Sequence, residues 1–414
     1  MLEKVEYIPD QAPTASDSDI PLFLRKSPLQ LIKQDVTLVL QKLPYLLSVF
    51  LPQNRLAPSR EFAHIHLVLC HVLLGIATLI AVLAGVVISL AAPGLLGLLF
   101  WVVFTLVVVW GPACLFNGDI DLLRDGIVRS DVPGVEEKEG EAWVFINGVM
   151  VGSTFLRDNV NLLSKTFQRP ITGIHNRTFG FFFDIIECLV QRDLFYATQD
   201  TRIAYNHIKK TLLRPDIHKV VLMAHSQGAI IASNILDILF AELHHPEVFS
   251  KLEVYTFGSA ANHFYNPPVR KGDFDQAGPA KRQIQVFEHY VNEKDFVAQI
   301  GILRCFPPSN GEAVVSDAQY YGKVFTRLGA GGHMLNEHYL YSMFGKESGL
   351  EDDSHHDHAH SPFLDSVVFE RGVNGSEDDN TQSLKTVKEL SKLWQYLGGK
   401  EPVARRSLID ISED

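Results

Sequence analysis

The apolar positions divide the chain into blocks of different character. Residues 1–26 are polar and acidic and predict a disordered N-terminal tail. Their opening stretch, MLEKVEYIPDQAPTASDSD, lacks the apolar centre of a signal peptide. Residues 27–66 form an amphipathic region. Leu29, Leu31, Ile32, Val36, Leu38, Leu40, Leu43, Leu46 and Leu47 recur at helical spacing within Ser27–Pro52. Such a helix either packs on a folded domain or lies on a membrane surface. Residues 67–118 then run for 52 positions without Asp, Glu, Lys or Arg. A membrane-crossing helix needs about 20 apolar residues, and this run holds two such stretches, Leu67–Ala92 and Gly94–Phe116. Pro93-Gly94 between them is a turn signal, and Trp110 stands near the end of the second stretch, where an interfacial ring is favoured. A pair of soluble core helices would keep a polar face. The pattern therefore predicts a hydrophobic helical hairpin, either spanning the bilayer or held in one leaflet.

After a charged linker at residues 119–140, the pattern changes to alternating strands and helices. Ala142–Ile146, Ile171–Ile174, Lys219–Ala224, Leu252–Gly258, Gln283–Val291 and Gly322–Arg327 read as strands. Val160–Phe167, Phe181–Val190, Thr198–Leu213 and Gly228–Leu243 read as helices. Continuous apolar strands separated by helices predict a mostly parallel sheet covered on both faces, an α/β fold over residues 141–348. Residues 349–381 are acidic and carry His-rich HHDHAH at 355–360. With no apolar framework to fix ligand geometry, they predict a flexible segment and no metal site. Residues 382–414 predict a C-terminal helix, Leu384–Leu397, and a polar tail.

Composition sharpens this picture at three points. A 46% hydrophobic content supports a large core. A net charge of −11 with no basic run argues against a nucleic-acid partner. Four cysteines, Cys70, Cys114, Cys188 and Cys305, show no metal-ligand spacing and no disulfide framework, in keeping with a reducing compartment. Arg55, Arg60, Arg124 and Arg129 flank the hairpin, whereas its turn carries no basic residue. The positive-inside rule then places both flanks, and the domain that follows, on the cytosolic side of an intracellular membrane.

The candidate chemistry centres on Ala224-His225-Ser226-Gln227-Gly228, between a strand and a helix. It is a G-x-S-x-G nucleophile elbow with Ala in the first place. Small flanking residues let strand and helix approach, and the helix N-terminus favours negative charge at the serine oxygen. Serine needs a base and an orienting acid, which in this fold follow in the order Ser, acid, His. Asp295, in the turn after a strand, is the candidate acid. Glu293 is its main rival, and Asp273, Asp275 and Asp317 lie in irregular polar stretches. His333, delivered by Leu328-Gly329-Ala330-Gly331-Gly332, is the candidate base, with His338 the alternative. Oxyanion stabilisation needs two aimed N–H groups. Gln227 supplies one, and the loop Asn147–Ser153 the other, with Val149 as the single choice and the Ser153 or Thr154 hydroxyl as a helper. His225 reads as a packing or specificity residue. GIHNRTFG, with His175, Asn176 and Arg177, reads either as a structural turn or as pocket lining, and His263 shares that status.

The pieces FINGVMVGSTF, RPITGIHNRTFGFFFDIIECLVQRD, VVLMAHSQGAII, LEVYTFGSAANHF, HYVNEKDFVAQIGIL and GGHMLNEHYL resemble those of uncharacterised lipase-like α/β-hydrolases of filamentous fungi, over residues 141–345. The resemblance implies an α/β-hydrolase fold with Ser226, Asp295 and His333 as triad. Ala224, and Asn147-Gly148 where many esterases carry His-Gly, depart from better-known lipases. The expectation is a membrane-associated serine esterase acting on a lipid-like ester, needing no cofactor and no metal. The alternatives are an inactive scaffold of the same fold, or a thioesterase or acyltransferase using the same triad.

Overall fold

The computed structural model describes residues 3–10, 26–49, 65–92, 94–118, 125–243, 245–269, 281–307, 320–344, 361–371 and 382–402. Its centre is one ten-stranded mixed sheet. The strands are β1 (Val5–Ile8), β2 (Ile127–Arg129), β3 (Glu141–Ile146), β4 (Ile171–Ile174), β5 (Lys219–His225), β6 (Leu252–Phe257), β7 (Val286–Asn292), β8 (Lys323–Arg327), β9 (Val367–Glu370) and β10 (Gln382–Thr386). Their order is β10-β9-β1-β8-β7-β6-β5-β3-β4-β2. The six strands from β8 to β4 are mutually parallel, while β1, β2 and β10 pair antiparallel with β8, β4 and β9. This is an α/β architecture compatible with the hydrolase-like arrangement expected.

Alternation along the strands builds two cores. Val144, Ile146, Leu222 and Val254 face helices α6 (Gln199–Leu212) and α7 (Gln227–Glu242). Phe145, Met223 and Tyr255 face the opposite side, against Leu156, Leu163 and Phe167 of α4 (Ser153–Phe167). Strands buried on both faces carry little polar sequence, hence their continuous apolar runs. The chain passes from β3 to β4 in one direction and then sets β5 on the other flank of β3. Ligands in open parallel sheets bind at such a reversal, beyond the carboxyl ends of the strands.

Three further helices surround this edge. Helix α1 (Pro28–Lys42) starts at Ser27, whose hydroxyl and Gln30 form a capping box. It packs on the folded domain through Leu31, Asp35 and Leu38. Asp35 is ion-paired with Arg192 at 2.8 Å and Arg304 at 2.7 Å, while Leu29 and Leu40 face outward. Helices α2 (Ile65–Ala91) and α3 (Leu95–Asn117) are long and apolar enough to cross a membrane. The protein covers only 11% and 17% of their most apolar windows, so they are not core helices. Gly94 turns between them at φ 99°, Pro93 lying outside the described residues, and Trp101 Nε1 donates to Ser89 Oγ at 3.0 Å across the pair.

Several expected boundaries change. Residues 5–8 were expected in a disordered tail; they form β1, fully buried inside the sheet between β8 and β9. Its partners lie more than 300 residues away, so no local periodicity announces it. The linker contains β2, which extends the sheet beside β4. Within the segment expected to be flexible, residues 361–371 hold β9 and bury Phe363 and Leu364; the HHDHAH run lies outside the described residues. The expected helix Leu384–Leu397 is instead β10, a single turn Val387–Leu390 and a 3₁₀ stretch Leu393–Gly399. Ser391 interrupts it: its hydroxyl lies 2.7 Å from the Tyr290 hydroxyl, and Lys392 N–H donates to Glu288 at 2.8 Å. The folded unit therefore reaches well outside residues 141–348.

Candidate active site

Strand β5 ends at His225, and helix α7 begins at Gln227. Ser226 between them has φ 57° and ψ −125°, a backbone state that a residue with a side chain occupies only under strain. The turn is packed too tightly for larger neighbours. A Cβ at Gly228 would collide with the Ile146 carbonyl, and one at Gly148 would stand 2.9 Å from Ser226 Oγ. Gly148 thus brings the loop after β3 directly onto the serine. Gln227 is the first residue of α7, so its N–H has no acceptor within the helix and points outward at the turn.

Asp295 caps α8 (Phe296–Ile300) just beyond β7. Its Oδ1 accepts from Val297 N–H at 2.8 Å. Its Oδ2 accepts from His333 Nδ1 at 2.7 Å and from the Tyr339 hydroxyl at 2.6 Å. The carboxylate is wholly buried. Because Nδ1 donates to Asp295, Nε2 is the nitrogen left to accept a proton. His333 Nε2 makes no hydrogen bond among the described residues. The acid–base pair is therefore assembled, whereas the serine–base hydrogen bond is not made here. Such bonds commonly tighten only when substrate is present. Burial, and then the Asp295 charge, raise the Tyr339 pKa well above its ordinary value, so the phenol stays protonated and donates.

The rivals have other duties. His338 accepts Met334 N–H on Nδ1 at 2.9 Å, and burial lowers its pKa to about 4, which keeps it neutral. Glu293 accepts Gly329 N–H and fixes the histidine loop from behind. Asp273, Asp275 and Asp317 lie outside the described residues. His225 turns towards His333: their rings stack at 4.6 Å, and its Nε2 donates to the His333 carbonyl at 2.7 Å. Burial, and then His333, push the His225 pKa well below its ordinary value. The residue before the serine thus props the imidazole as a neutral partner.

The loop after β3 is held as firmly. Asn147 Oδ1 accepts Asn176 N–H at 2.8 Å, and its Nδ2 donates to the Asn176 and Gly148 carbonyls at 2.9 and 3.0 Å. His175 Nε2 lies 3.1 Å from the Val151 carbonyl, and burial lowers its pKa to about 4. Met150, at φ 59°, donates its N–H to Asp184 Oδ2 at 3.0 Å. Val149 N–H, between these fixed peptides, has no hydrogen-bond partner among the described residues. The GIHNRTFG turn is thus a buried clamp on this loop. His263 instead pairs with Asp237 at 2.6 Å, away from the serine.

The chain matches no family model and no curated protein. Ser226, Asp295, His333, Val149 and Gln227, the residues singled out from the sequence, all lie just beyond the carboxyl ends of β3, β5, β7 and β8, Gln227 as the first residue of α7. Tyr339 and Asp184 were not among the sequence candidates, and Asn176 takes the structural-turn role that was one of its two readings; all three act by holding other groups. Their only signal was polar residues inside otherwise apolar helical or turn segments. The arrangement offers a strained serine, a carboxylate-oriented imidazole and two backbone N–H groups unpaired among the described residues, the components that acyl transfer requires.

Proposed function

We propose that this protein is a serine hydrolase of the α/β-hydrolase type, held at a membrane by its α2–α3 hairpin, that cleaves lipid-like carboxylic esters. The observation that carries the reading is the buried Asp295–His333 hydrogen bond at 2.7 Å, set beside a serine in strained elbow geometry. In the reaction, His333 Nε2 takes the Ser226 proton as Oγ attacks the ester carbonyl. The developing oxyanion accepts from Gln227 and Val149 N–H, and His333 returns the proton to the departing alcohol. Water, deprotonated by the same imidazole, then cleaves the acyl-Ser226 ester. Asp295 holds the productive tautomer and stabilises the imidazolium. An apolar hairpin beside the site supports a substrate drawn from the bilayer, with the catalytic domain on the cytosolic face of an intracellular membrane.

The test is labelling of the detergent-solubilised full chain with a fluorophosphonate probe. The expected result is labelling of the wild type and its loss in Ser226→Ala and His333→Ala variants that keep the native thermal midpoint. A folded wild type that stays unlabelled, and that hydrolyses neither short nor long-chain esters, would overturn the reading.

A further inference from the structure

The end of the hydrophobic hairpin is wired into the loop that carries Val149. Asn117, the last residue of α3, is completely buried. Its Oδ1 accepts Thr178 N–H at 2.9 Å, and its Nδ2 donates to the Thr178 carbonyl at 2.8 Å and to the Ala113 carbonyl at 2.7 Å. One side chain thus satisfies both peptide groups of Thr178 and ties them to the last turn of the helix. The Thr178 hydroxyl donates to Asp184 Oδ2 at 2.6 Å, the oxygen that also accepts Met150 N–H. Asp184 Oδ1 accepts Phe179 N–H at 2.9 Å. Asp184 and Thr178 are both nearly inaccessible to solvent, so the route from Asn117 to the Met150 peptide is a dry, saturated hydrogen-bond chain.

A second contact runs beside it. A Cβ on Gly152 would collide with the Phe116 carbonyl, so the last residues of the hairpin lie directly against the loop 147–152. Phe116 is itself stacked on His71 of α2 at 4.2 Å, which links both hairpin helices to this point. Met150 is held at φ 59°, a conformation that the surroundings must enforce. On the other flank of Val149, the Gly148 carbonyl is fixed by Asn147. The direction of the Val149 N–H is therefore set on one side by the sheet and on the other by the hairpin.

Resting on the hydrolase reading above, we propose that Asn117 is a positioning residue for catalysis: through Thr178 and Asp184 it aims the Val149 N–H at the oxyanion, making the membrane hairpin a structural part of the oxyanion hole. The chemistry requires this to act on the transition state. An oxyanion donor binds the tetrahedral intermediate more strongly than the planar ester, so loss of aim lowers kcat and leaves KM nearly unchanged.

The experiment uses the full chain in detergent or nanodiscs, with a long-chain p-nitrophenyl ester as substrate and a trifluoromethyl ketone of the same chain length as transition-state mimic. Asn117→Ala and the near-isosteric Thr178→Val are compared with wild type and with Leu98→Ala, an exposed hairpin control. Thr178→Val keeps the backbone groups that Asn117 binds and removes the hydroxyl, with its bond to Asp184 and the one it accepts from Gly180 N–H at 3.1 Å, which preserves a folding-competent test if Asn117→Ala fails to fold. The expected result is a fall in kcat of about 10- to 100-fold in both variants, less than the loss of an entire donor. KM should be nearly unchanged, ketone affinity should weaken in proportion to kcat/KM, and Leu98→Ala should match the wild type. Wild-type kcat and ketone affinity in folded Thr178→Val would overturn the proposal while leaving the hydrolase reading intact. A wild type that neither turns over the ester nor binds the ketone would overturn both.

Discussion

The two halves of the candidate site are held in place by different parts of the chain. On the acid–base half, Asp295 caps a helix that follows β7, and His333 sits on a loop after β8. Asn292 Nδ2 donates to the Gly332 and His338 carbonyls at 3.2 Å, and Arg327 bridges Asn292 to Glu3. These anchors belong to the sheet, to Glu3 just before β1, and to the helical stretch that carries Tyr339. On the oxyanion half, Gln227 comes from the sheet-borne elbow, but the Val149 loop rests on the 175–184 turn and on the end of α3. One half is rigid because the globular core is rigid. The other half borrows its rigidity from a segment whose remaining surface is suited to lipid. Base strength and transition-state stabilisation can therefore be perturbed separately in this molecule.

The largest expected effect breaks the first half alone. Asp295→Asn retains an acceptor for the α8 N–H groups but loses the charge opposite His333 Nδ1. The expected outcome is a fall in kcat of roughly 10³–10⁴-fold with an unchanged thermal midpoint. Steady-state ester hydrolysis and a melting curve check it, and a loss below about tenfold would deny Asp295 the orienting role. Tyr339→Phe removes one hydrogen bond to the same carboxylate while His333 and Val297 keep theirs. A loss of about tenfold or less in kcat is expected, with ketone affinity falling equally. A larger loss than in Asp295→Asn would mean that Tyr339 itself touches the reacting atoms.

The smallest effect concerns stability, where helix α5 (Phe181–Asp193) joins the two halves to α1. Burial, and then the Asp35 charge, raise the Asp193 pKa to about 7, with Arg192 and Arg304 acting in the opposite direction. Between the ordinary 3.8 and about 7, the folded protein holds a proton that the unfolded chain has released. That contribution is fully present below 3.8 and is lost as pH rises through 7. Asp193→Asn lacks it. The variant should melt above the wild type at pH 8, by roughly 2–4 °C for each kcal/mol, with the gap narrowing towards pH 5 and closing only below 3.8. Parallel melting curves across that range would show that Asp193 ionises freely inside the fold.

Much of this architecture was legible because parallel strands and spanning helices write themselves locally. KVVLMA before Ser226 and the uncharged run from Leu67 to Gly118 each carry their message in consecutive residues. The triad candidates were readable for a related reason: each stands at a strand end, where a loop residue is displayed. Features made by distant partners were not readable. Val5–Ile8 is too short to declare a strand, and only pairing with β8 and β9 makes it one. Ser391 reads as an ordinary helical position until Glu288 and Tyr290 are brought to it. Asn117 looks like the polar end of a membrane helix, and its bonds to Thr178 exist only after the hairpin folds back onto the domain.

The placement of β1 has a consequence for how the protein is made. Synthesis is vectorial, and residues 5–8 leave the ribosome more than 300 residues before their neighbours in the sheet, residues 324–327 and 368–370. The hairpin is translated in between. A chain that seats α2 and α3 in a bilayer during synthesis must therefore keep β1 waiting on the side where the sheet will later close, since one strand cannot join a sheet across a membrane. In such a chain both ends of the hairpin are committed to one face of the bilayer by hydrogen bonding alone, independently of flanking charge, and the sheet closes around β1 only after β8 and β9 have been made.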